Sequence, residues 1–162
     1  MTLDYLAGQI AAGAEAVQLF DSWSGSLAPA EFERWVIAPT ARIASALRQR
    51  FPQVPVIGFP KGAGAKLGAY ARESGVSAIG LDETVDPVWA HRALPEGMPV
   101  QGNFDPVLLE AGGQMIELRA RTILDALAGR PHVFNLGHGI GQHTPIEHVE
   151  QLLGVVRSWR PC

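Results

Sequence analysis

The sequence has almost no cysteine, no excess of positive charge and no long hydrophobic run. Its one cysteine, Cys162, is the last of 162 residues, which excludes an internal disulfide and argues against a zinc site built on thiolates. With 13 Lys and Arg against 16 Asp and Glu, nothing supports nucleic-acid binding. No apolar run approaches the ~20 residues that cross a bilayer, and no signal peptide is recognisable. These absences predict a folded, soluble protein in a reducing, cytoplasmic setting.

Short apolar strands alternate with helices along the chain. Apolar runs predict strands at residues 16–20, 54–59, 77–81, 100–103 and 132–136, with helical periodicity between and after them. Most of the intervening segments are long enough for a crossover helix, which is typical of a parallel sheet of βαβ units. We therefore predict an α/β fold with about five parallel strands, and a single domain over residues 1–162.

Some helix positions carry clear local signals. Asp86 and Asp105 each precede a proline, so both are expected to be helix N-caps rather than catalytic acids. Pro39 removes a backbone donor from the helical region 29–50, which predicts a kink or two consecutive helices.

The last helix is expected to open at residues 144–147. The sequence Thr-Pro-Ile-Glu fits a capping box with proline at the first helical position. The helix that follows is expected to bury an apolar face made of Ile146, Val149, Leu152, Leu153 and Val156.

Polar or glycine-rich loops follow all five predicted strands. If the strands are parallel, these loops lie at one face of the sheet, where α/β folds place their chemistry. The loops are residues 21–23 (Asp-Ser-Trp), 61–64 (Lys-Gly-Ala-Gly), 82–83 (Asp-Glu), 102–103 (Gly-Asn) and 137–139 (Gly-His-Gly).

His138 stands between Gly137 and Gly139 at the end of the last predicted strand. Glycines on both sides allow a tight turn and a close approach to a ligand, and such loops commonly carry functional groups. We therefore favour a functional role for His138. The other histidines have no ligand-like spacing and are interpreted as structural or solvent-facing; they are His91, His132, His143 and His148.

Other strand-end residues have two interpretations at this point. Ser22 either satisfies backbone groups in a turn, the commoner role of such a serine, or contacts a ligand. For Asp21 two interpretations have equal weight, a buried hydrogen-bond partner and a catalytic acid. Residues 61–64 lack the full phosphate-binding pattern, and no Gly-x-Ser-x-Gly elbow supports a hydrolase. The residues alone therefore indicate a parallel α/β domain with a small-molecule site that contains Ser22 and His138.

In five segments the chain resembles the uroporphyrinogen decarboxylase family. They are residues 19–25 (LFDSWSG), 61–64 (KGAG), 80–82 (GLD), 101–106 (QGNFDP) and 134–140 (FNLGHGI). The segments occur in the family's order and at about its spacing, across nearly the whole chain. Each glycine loop is unspecific by itself, whereas the set, together with Asn-Leu-Gly-His-Gly, is characteristic.

The resemblance implies a (β/α)8 barrel that converts the four acetate arms of uroporphyrinogen to methyl groups without a metal or a cofactor. It places substrate contacts at Ser22 and His138, and it makes Phe20 and Asp21 substrate-binding positions beside Ser22. His138 is the implied catalytic residue, through hydrogen bonds to substrate carboxylates or through proton handling.

The resemblance covers only the family's carboxyl-terminal part, about strands four to eight, so the expected fold is a partial (β/α)8 TIM barrel. The family's amino-terminal arginine segment has no counterpart here, nor do the aspartate and tyrosine that accompany it. An octacarboxylate substrate needs charge-assisted donors such as arginine. We therefore expect little or no decarboxylase activity from the chain alone.

Two alternatives remain open. The chain could be a half-barrel binding or assembly module that pairs with a partner chain, or that associates through unpaired edges at residues 16–20 and 132–136; family members are often homodimers. A corrinoid-linked methyltransferase of the same superfamily ranks lower. Those relatives hold zinc with a histidine and cysteines, and this chain has only Cys162.

Overall fold

The computed structural model describes residues 1–161. Cys162, on which the argument against a thiolate metal site rests, lies outside the described residues. The chain forms two compact units, Met1–Gly80 and Leu81–Cys162. Five parallel strands alternate with helices in a partial (β/α)8-type arrangement, as predicted. Within residues 1–161, no helix combines the length and the apolar character that a membrane crossing requires.

The first unit contains three strands and four α-helices. β1 and β2 pair in parallel over five residues, from Val17 opposite Val56 to Asp21 opposite Pro60, and β2 pairs in parallel with β3. The elements are α1 (Thr2–Ala11), β1 (Val17–Asp21), α2 (Pro29–Phe32), α3 (Ala38–Arg50), β2 (Val56–Pro60), α4 (Leu67–Glu73) and β3 (Ala78–Gly80).

The two helices α2 and α3 are joined by a π-helical segment, Glu33–Ile37. Pro39 is in the first turn of α3 and has no N–H to donate to the carbonyl of Trp35, four residues earlier. That carbonyl lies inside the π-helical segment, so the wider turn falls where the α-helical ladder loses a bond. The predicted interruption of this region is therefore present.

The second unit contains two strands and four α-helices. β4 and β5 pair in parallel over five residues, from Val100 opposite His132 to Phe104 opposite Leu136. Asp86 and Asp105 accept hydrogen bonds from the first N–H groups of α5 and α6, which confirms both as N-caps. The elements are α5 (Pro87–Ala93), β4 (Val100–Phe104), α6 (Pro106–Ala111), α7 (Met115–Leu127), β5 (His132–Leu136) and α8 (Ile146–Ser158).

The capping box expected at the start of the last helix is wrong. α8 begins at Ile146, and its N-cap is Pro145, which has an extended backbone and no side chain that can accept a hydrogen bond. Thr144 is therefore one residue too early to cap, and its hydroxyl is buried without a partner among residues 1–161. Leu152 is buried as expected, but Ile146 is 75% exposed and Leu153, also expected to be buried, is 44% exposed.

Candidate active site

The loop after β1 is fastened to the loop after β2. Ser24 is 1% exposed, and the single hydrogen of its hydroxyl is shared between the carbonyls of Asp21 at 3.1 Å and Lys61 at 3.0 Å. The Lys61 N–H donates to the Asp21 carbonyl at 2.9 Å. Gly25 packs on Gly62 so closely that a Cβ atom added to Gly25 would lie 2.6 Å from the Gly62 carbonyl oxygen. The two loops therefore form one connected edge at the carboxyl ends of β1 and β2.

Lys66 fastens the other side of the same edge. Its ammonium donates to the carbonyls of Gly25 at 2.9 Å and Leu27 at 2.7 Å, and it lies 5.2 Å from the centre of the Phe32 ring. A charge-assisted bond of this kind is stronger than a neutral one. Lys66 therefore stabilises the loop that carries the first group of predicted site residues.

Phe20 and Asp21 stand at the end of β1. Phe20 is 70% exposed, and its ring packs edge-on against that of Phe59 with 5.8 Å between the ring centres. The Asp21 carboxylate accepts a hydrogen bond from the Trp23 N–H at 3.1 Å. Asp21 therefore closes a local turn, and Phe20 offers an apolar aromatic surface to solvent.

Ser22 is exposed, and its hydroxyl has no hydrogen-bond partner in the described part of the chain. The backbone-satisfying role that was one interpretation of Ser22 belongs instead to Ser24, two residues later. Of the two interpretations, ligand contact is the one that the geometry of Ser22 leaves open.

In the second unit, the first strand-end loop is a tight turn over residues 82–85. Asp82 is 2% exposed, and its carboxylate accepts bonds from the Thr84 N–H at 2.9 Å and from the Thr84 hydroxyl. The Asp82 carbonyl accepts from the Val85 N–H at 3.1 Å. The carboxylate of Asp82 therefore shapes its own turn.

Residues 102–103, expected to form a loop after a strand, are instead part of β4, and the Asn103 side chain donates from that strand to this turn. The side chain is 1% exposed, and its amide nitrogen donates to the carbonyls of Asp82 at 3.1 Å and Val85 at 2.6 Å. Two carbonyl partners fix which end of the amide is the nitrogen. The amide oxygen is buried without a hydrogen-bond partner among residues 1–161.

Gly137 and His138 follow β5, and Gly137 lies against the same turn. The Gly137 N–H donates to the Phe104 carbonyl at 2.7 Å. Gly137 is buried, and an added Cβ atom there would lie 2.8 Å from Glu83 Cα and would overlap the Glu83 amide nitrogen. His138 is exposed. Neither Gly137 nor Gly139 has a positive φ angle, so Gly137 is needed for its close packing and not for a special backbone conformation.

His132, at the start of β5, has a structural environment. Its ring Nε2 lies 2.7 Å from the Gly102 carbonyl oxygen, and its ring is tilted against that of Phe134 with 5.9 Å between centres. Burial lowers the pKa of His132, and the hydrogen bond to the Gly102 backbone acts in the opposite direction. The neutral ring is therefore favoured, which fits the structural role predicted for it.

The structure places the predicted site residues in two groups. Phe20, Asp21 and Ser22 are consecutive at the end of β1 in the first unit, and His138 belongs to the second unit. Residues 1–161 contain no group of three or more His, Cys, Asp or Glu side chains that could hold a metal ion.

Sequence reasoning missed two residues that organise these groups. Ser24 and Asn103 are polar and almost fully buried. Both lie in segments that carry the family resemblance, but neither was singled out as a site residue. A polar residue beside a glycine at a strand end was the available signal. Which partner each side chain would meet depends on contacts with residues far away in the sequence, Lys61 for Ser24 and Val85 for Asn103.

Comparison with known proteins identifies the sequences that this chain resembles. Residues 1–159 match the family model described as uroporphyrinogen decarboxylase (URO-D). The uroporphyrinogen decarboxylase of Novosphingobium aromaticivorans is 71% identical over 159 residues, which are 98% of this chain and 47% of that protein. The uroporphyrinogen decarboxylase of Erythrobacter litoralis is 66% identical over 160 residues, which are 99% of this chain and 47% of that protein. The chain thus spans about half the length of the curated relatives that it matches.

A solved structure of a methyltransferase from Methanosarcina mazei has a similar fold. It matches with a TM-score of 0.82 over 95% of this chain and 45% of its own, at 19% sequence identity. At that identity the likeness concerns the fold alone.

Proposed function

Since this chain belongs to the uroporphyrinogen decarboxylase family, we propose that it forms the carboxyl-terminal part of an enzyme that decarboxylates the acetate arms of uroporphyrinogen. The single observation that carries the proposal is the family match over residues 1–159. Relatives at 71% and 66% identity that bear this name support it.

The reaction needs an electron sink, which the substrate itself supplies. A proton adds to a pyrrole carbon, the bond between the acetate methylene and its carboxylate breaks, and the electron pair neutralises the ring as carbon dioxide leaves. A proton then reaches the methylene carbon, and the ring carbon loses the one that it gained. The protein has to deliver protons and hold the carboxylates.

In this proposal His138 is the catalytic residue, and it also contacts the substrate. Its imidazole can donate a hydrogen bond to a carboxylate or pass on a proton. Ser22 has an exposed hydroxyl for a substrate carboxylate, and Asp21 and the exposed ring of Phe20 complete the substrate-binding group. No metal or cofactor takes part.

The substrate's negative charge requires donors from outside this chain. The strand ends of this chain and the loops that follow them contain no arginine; these segments are residues 21–25, 61–64, 82–85, 102–103 and 137–140. We therefore propose that activity belongs to an assembly of this chain with a segment equivalent to the rest of its relatives' length, on the same polypeptide or on another.

One edge of the second unit suits such an assembly. β5 pairs with β4, and no other strand among residues 81–161 pairs with it. Beside it, an apolar cavity of about 220 Å³ is lined by Phe134, Leu136 and Leu153, among others. An unpaired strand next to apolar surface readily accepts another strand. The assembly is proposed to act in the cytoplasm, to take a tetrapyrrole as its ligand, and to bind neither nucleic acid nor membrane; a homodimer of the assembly is part of the proposal.

A chimaera tests the proposed site. This chain replaces the matching part of the Novosphingobium aromaticivorans decarboxylase, and coproporphyrinogen formation is measured without oxygen. We expect activity, and a loss in kcat on the order of 100-fold for His138→Ala. His143→Ala, which changes an exposed histidine nearby, is expected to have no effect. A folded but inactive chimaera would overturn the proposal, and an unchanged His138→Ala variant would remove His138 from it.

A further inference from the structure

Asn103 is a buried side chain with a single possible orientation. Its amide nitrogen is shared between the Asp82 and Val85 carbonyls, at 3.1 and 2.6 Å. Turning the amide over would bring its oxygen against two carbonyl oxygens, where it can only accept. The native orientation leaves the amide oxygen without a partner among residues 1–161, which costs free energy. The two donated bonds are therefore what this side chain contributes.

The turn that Asn103 holds is in direct contact with the backbone beside His138. Residues 82–83 pack on Gly137 so closely that no side-chain atom fits between them. Gly137 is also tied to β4 by its hydrogen bond to the Phe104 carbonyl at 2.7 Å. The position of the turn thus sets the position of residue 137, and His138 is the next residue.

We infer that Asn103 is a positioning residue for His138, acting through the turn 82–85 and Gly137. Without its two bonds, the Val85 carbonyl loses this donor and the Asp82 carbonyl keeps only the Val85 N–H, so the turn is free to shift against Gly137. Close-packed backbone transmits such a displacement because it leaves no space to absorb it. The catalytic consequence of this inference rests on the role proposed for His138, whereas the structural consequence does not.

Histidine NMR on this chain tests the inference directly. The chain is labelled with 13C-histidine, and the His138 ring signal is assigned from its absence in His138→Ala. The signal of His148, whose ring Nδ1 lies 2.9 Å from the Leu109 carbonyl oxygen, serves as an internal reference. Asn103→Ala is expected to shift the His138 signal and to leave the His148 signal in place. A folded Asn103→Ala chain with an unchanged His138 signal would overturn the inference.

Asn135→Ala is the matched control. Asn135 is the register partner of Asn103 on β5, but it is exposed, and its side chain only accepts from the N–H of Leu136. We expect no shift of the His138 signal in this variant. An Asn135→Ala shift as large as that of Asn103→Ala would show that any loss of an amide at this level moves the histidine, which contradicts a specific role for Asn103.

Two more variants cover a failure of Asn103→Ala to fold. Asn103→Asp keeps the shape of the side chain but loses both donors, and Thr84→Ala loosens the turn from its exposed side. The inference requires a shift of the His138 signal in each, and a folded variant of either kind without that shift contradicts it.

Kinetics in the chimaera separate this inference from the proposed function. If both are correct, Asn103→Ala lowers kcat on the order of 10- to 100-fold with little change in KM, because a small misplacement of a catalytic group acts mainly on the chemical step. A shifted His138 signal with unchanged kcat keeps the positioning role and rejects the catalytic one. An unshifted signal rejects the positioning role whatever the kinetics are.

Discussion

Gly137 lies against Glu83 with no room for a side chain: an added Cβ atom would be 2.8 Å from Glu83 Cα. Gly139, on the other side of His138, has open space around it and no positive φ angle. Of the two glycines that flank the candidate catalytic histidine, residue 137 must therefore be glycine, whereas residue 139 has room for a side chain. The sequence alone does not distinguish the two positions.

We expect Gly137→Ala to destabilise the chain and Gly139→Ala to be tolerated. Overpacking against backbone costs about 1–3 kcal/mol, so the midpoint of urea unfolding should fall for Gly137→Ala. Gly139→Ala should stay within about 0.5 kcal/mol of the wild type. Equal midpoints for the two variants would contradict the packing described for Gly137.

Arg130 is predicted to stabilise the second unit through hydrogen bonds to backbone. It is 7% exposed, and its guanidinium donates to the carbonyls of Pro95 and Met98 and to those of His91 and Leu94 at the end of α5. A lysine cannot reproduce this planar fork. Arg130→Lys should therefore lower the unfolding free energy by about 2 kcal/mol or more, since buried carbonyls lose their donors.

The control for Arg130 is Arg121→Lys. Arg121 forms an exposed pair with Glu117, one turn earlier in α7, at 3.0 Å. Such pairs contribute about 0.5 kcal/mol or less, so its variant should unfold at nearly the wild-type urea concentration. A loss as large as that of Arg130→Lys would mean that the buried bonds of Arg130 are not the source of its effect.

Tyr70 is predicted to make the first unit sensitive to alkali. Burial, with a smaller contribution from the charge of Asp21, raises the pKa of Tyr70 to about 12, and a hydrogen bond with Thr40 acts in the opposite direction. Between the ordinary pKa of 10.0 and about 12, the unfolded chain loses this proton and the folded chain keeps it. The free energy of unfolding therefore keeps the full contribution of Tyr70 below pH 10. It loses that contribution, roughly 2–3 kcal/mol in all, as the pH rises toward 12.

Tyr70→Phe should remove that part of the alkaline loss. Unfolding by urea at pH 9 and pH 11 measures it, and the exposed Tyr5 provides the control variant Tyr5→Phe. We expect the difference between the two pH values to shrink for Tyr70→Phe only. The same alkaline loss in both variants would show that Tyr70 is not its source.

The sequence predicted the strands well because each is a short apolar run bounded by turn or polar residues, which is a strong local signal. The last strand, His132–Leu136, has the expected bounds, and the other four differ by one or two residues at their ends. The N-caps Asp86 and Asp105 were predictable because each signal is local, an acceptor followed by proline. The resemblance on five short segments was also confirmed, by a family match over residues 1–159.

What the sequence did not show depends on contacts between distant residues. Thr144 carried the signal of a cap, but Pro145 has an extended backbone, so the helix starts too late for Thr144 to reach it. Ser22 and Ser24 are both serines of the same loop, and the sequence does not distinguish them. The position of the Lys61 carbonyl makes Ser24 the serine that holds the loop in place. The demand for glycine at residue 137 comes from Glu83, which lies more than fifty residues earlier.

The most direct test of the account is anaerobic turnover of uroporphyrinogen by this chain, alone and mixed with the separately expressed remainder of the Novosphingobium aromaticivorans decarboxylase. We predict that coproporphyrinogen forms only on mixing, and that His138→Ala in this chain abolishes it. Turnover by the chain alone would contradict the claim that the substrate's charge needs donors from another segment. A folded mixture that forms a complex and still produces no coproporphyrinogen would contradict the decarboxylase function itself.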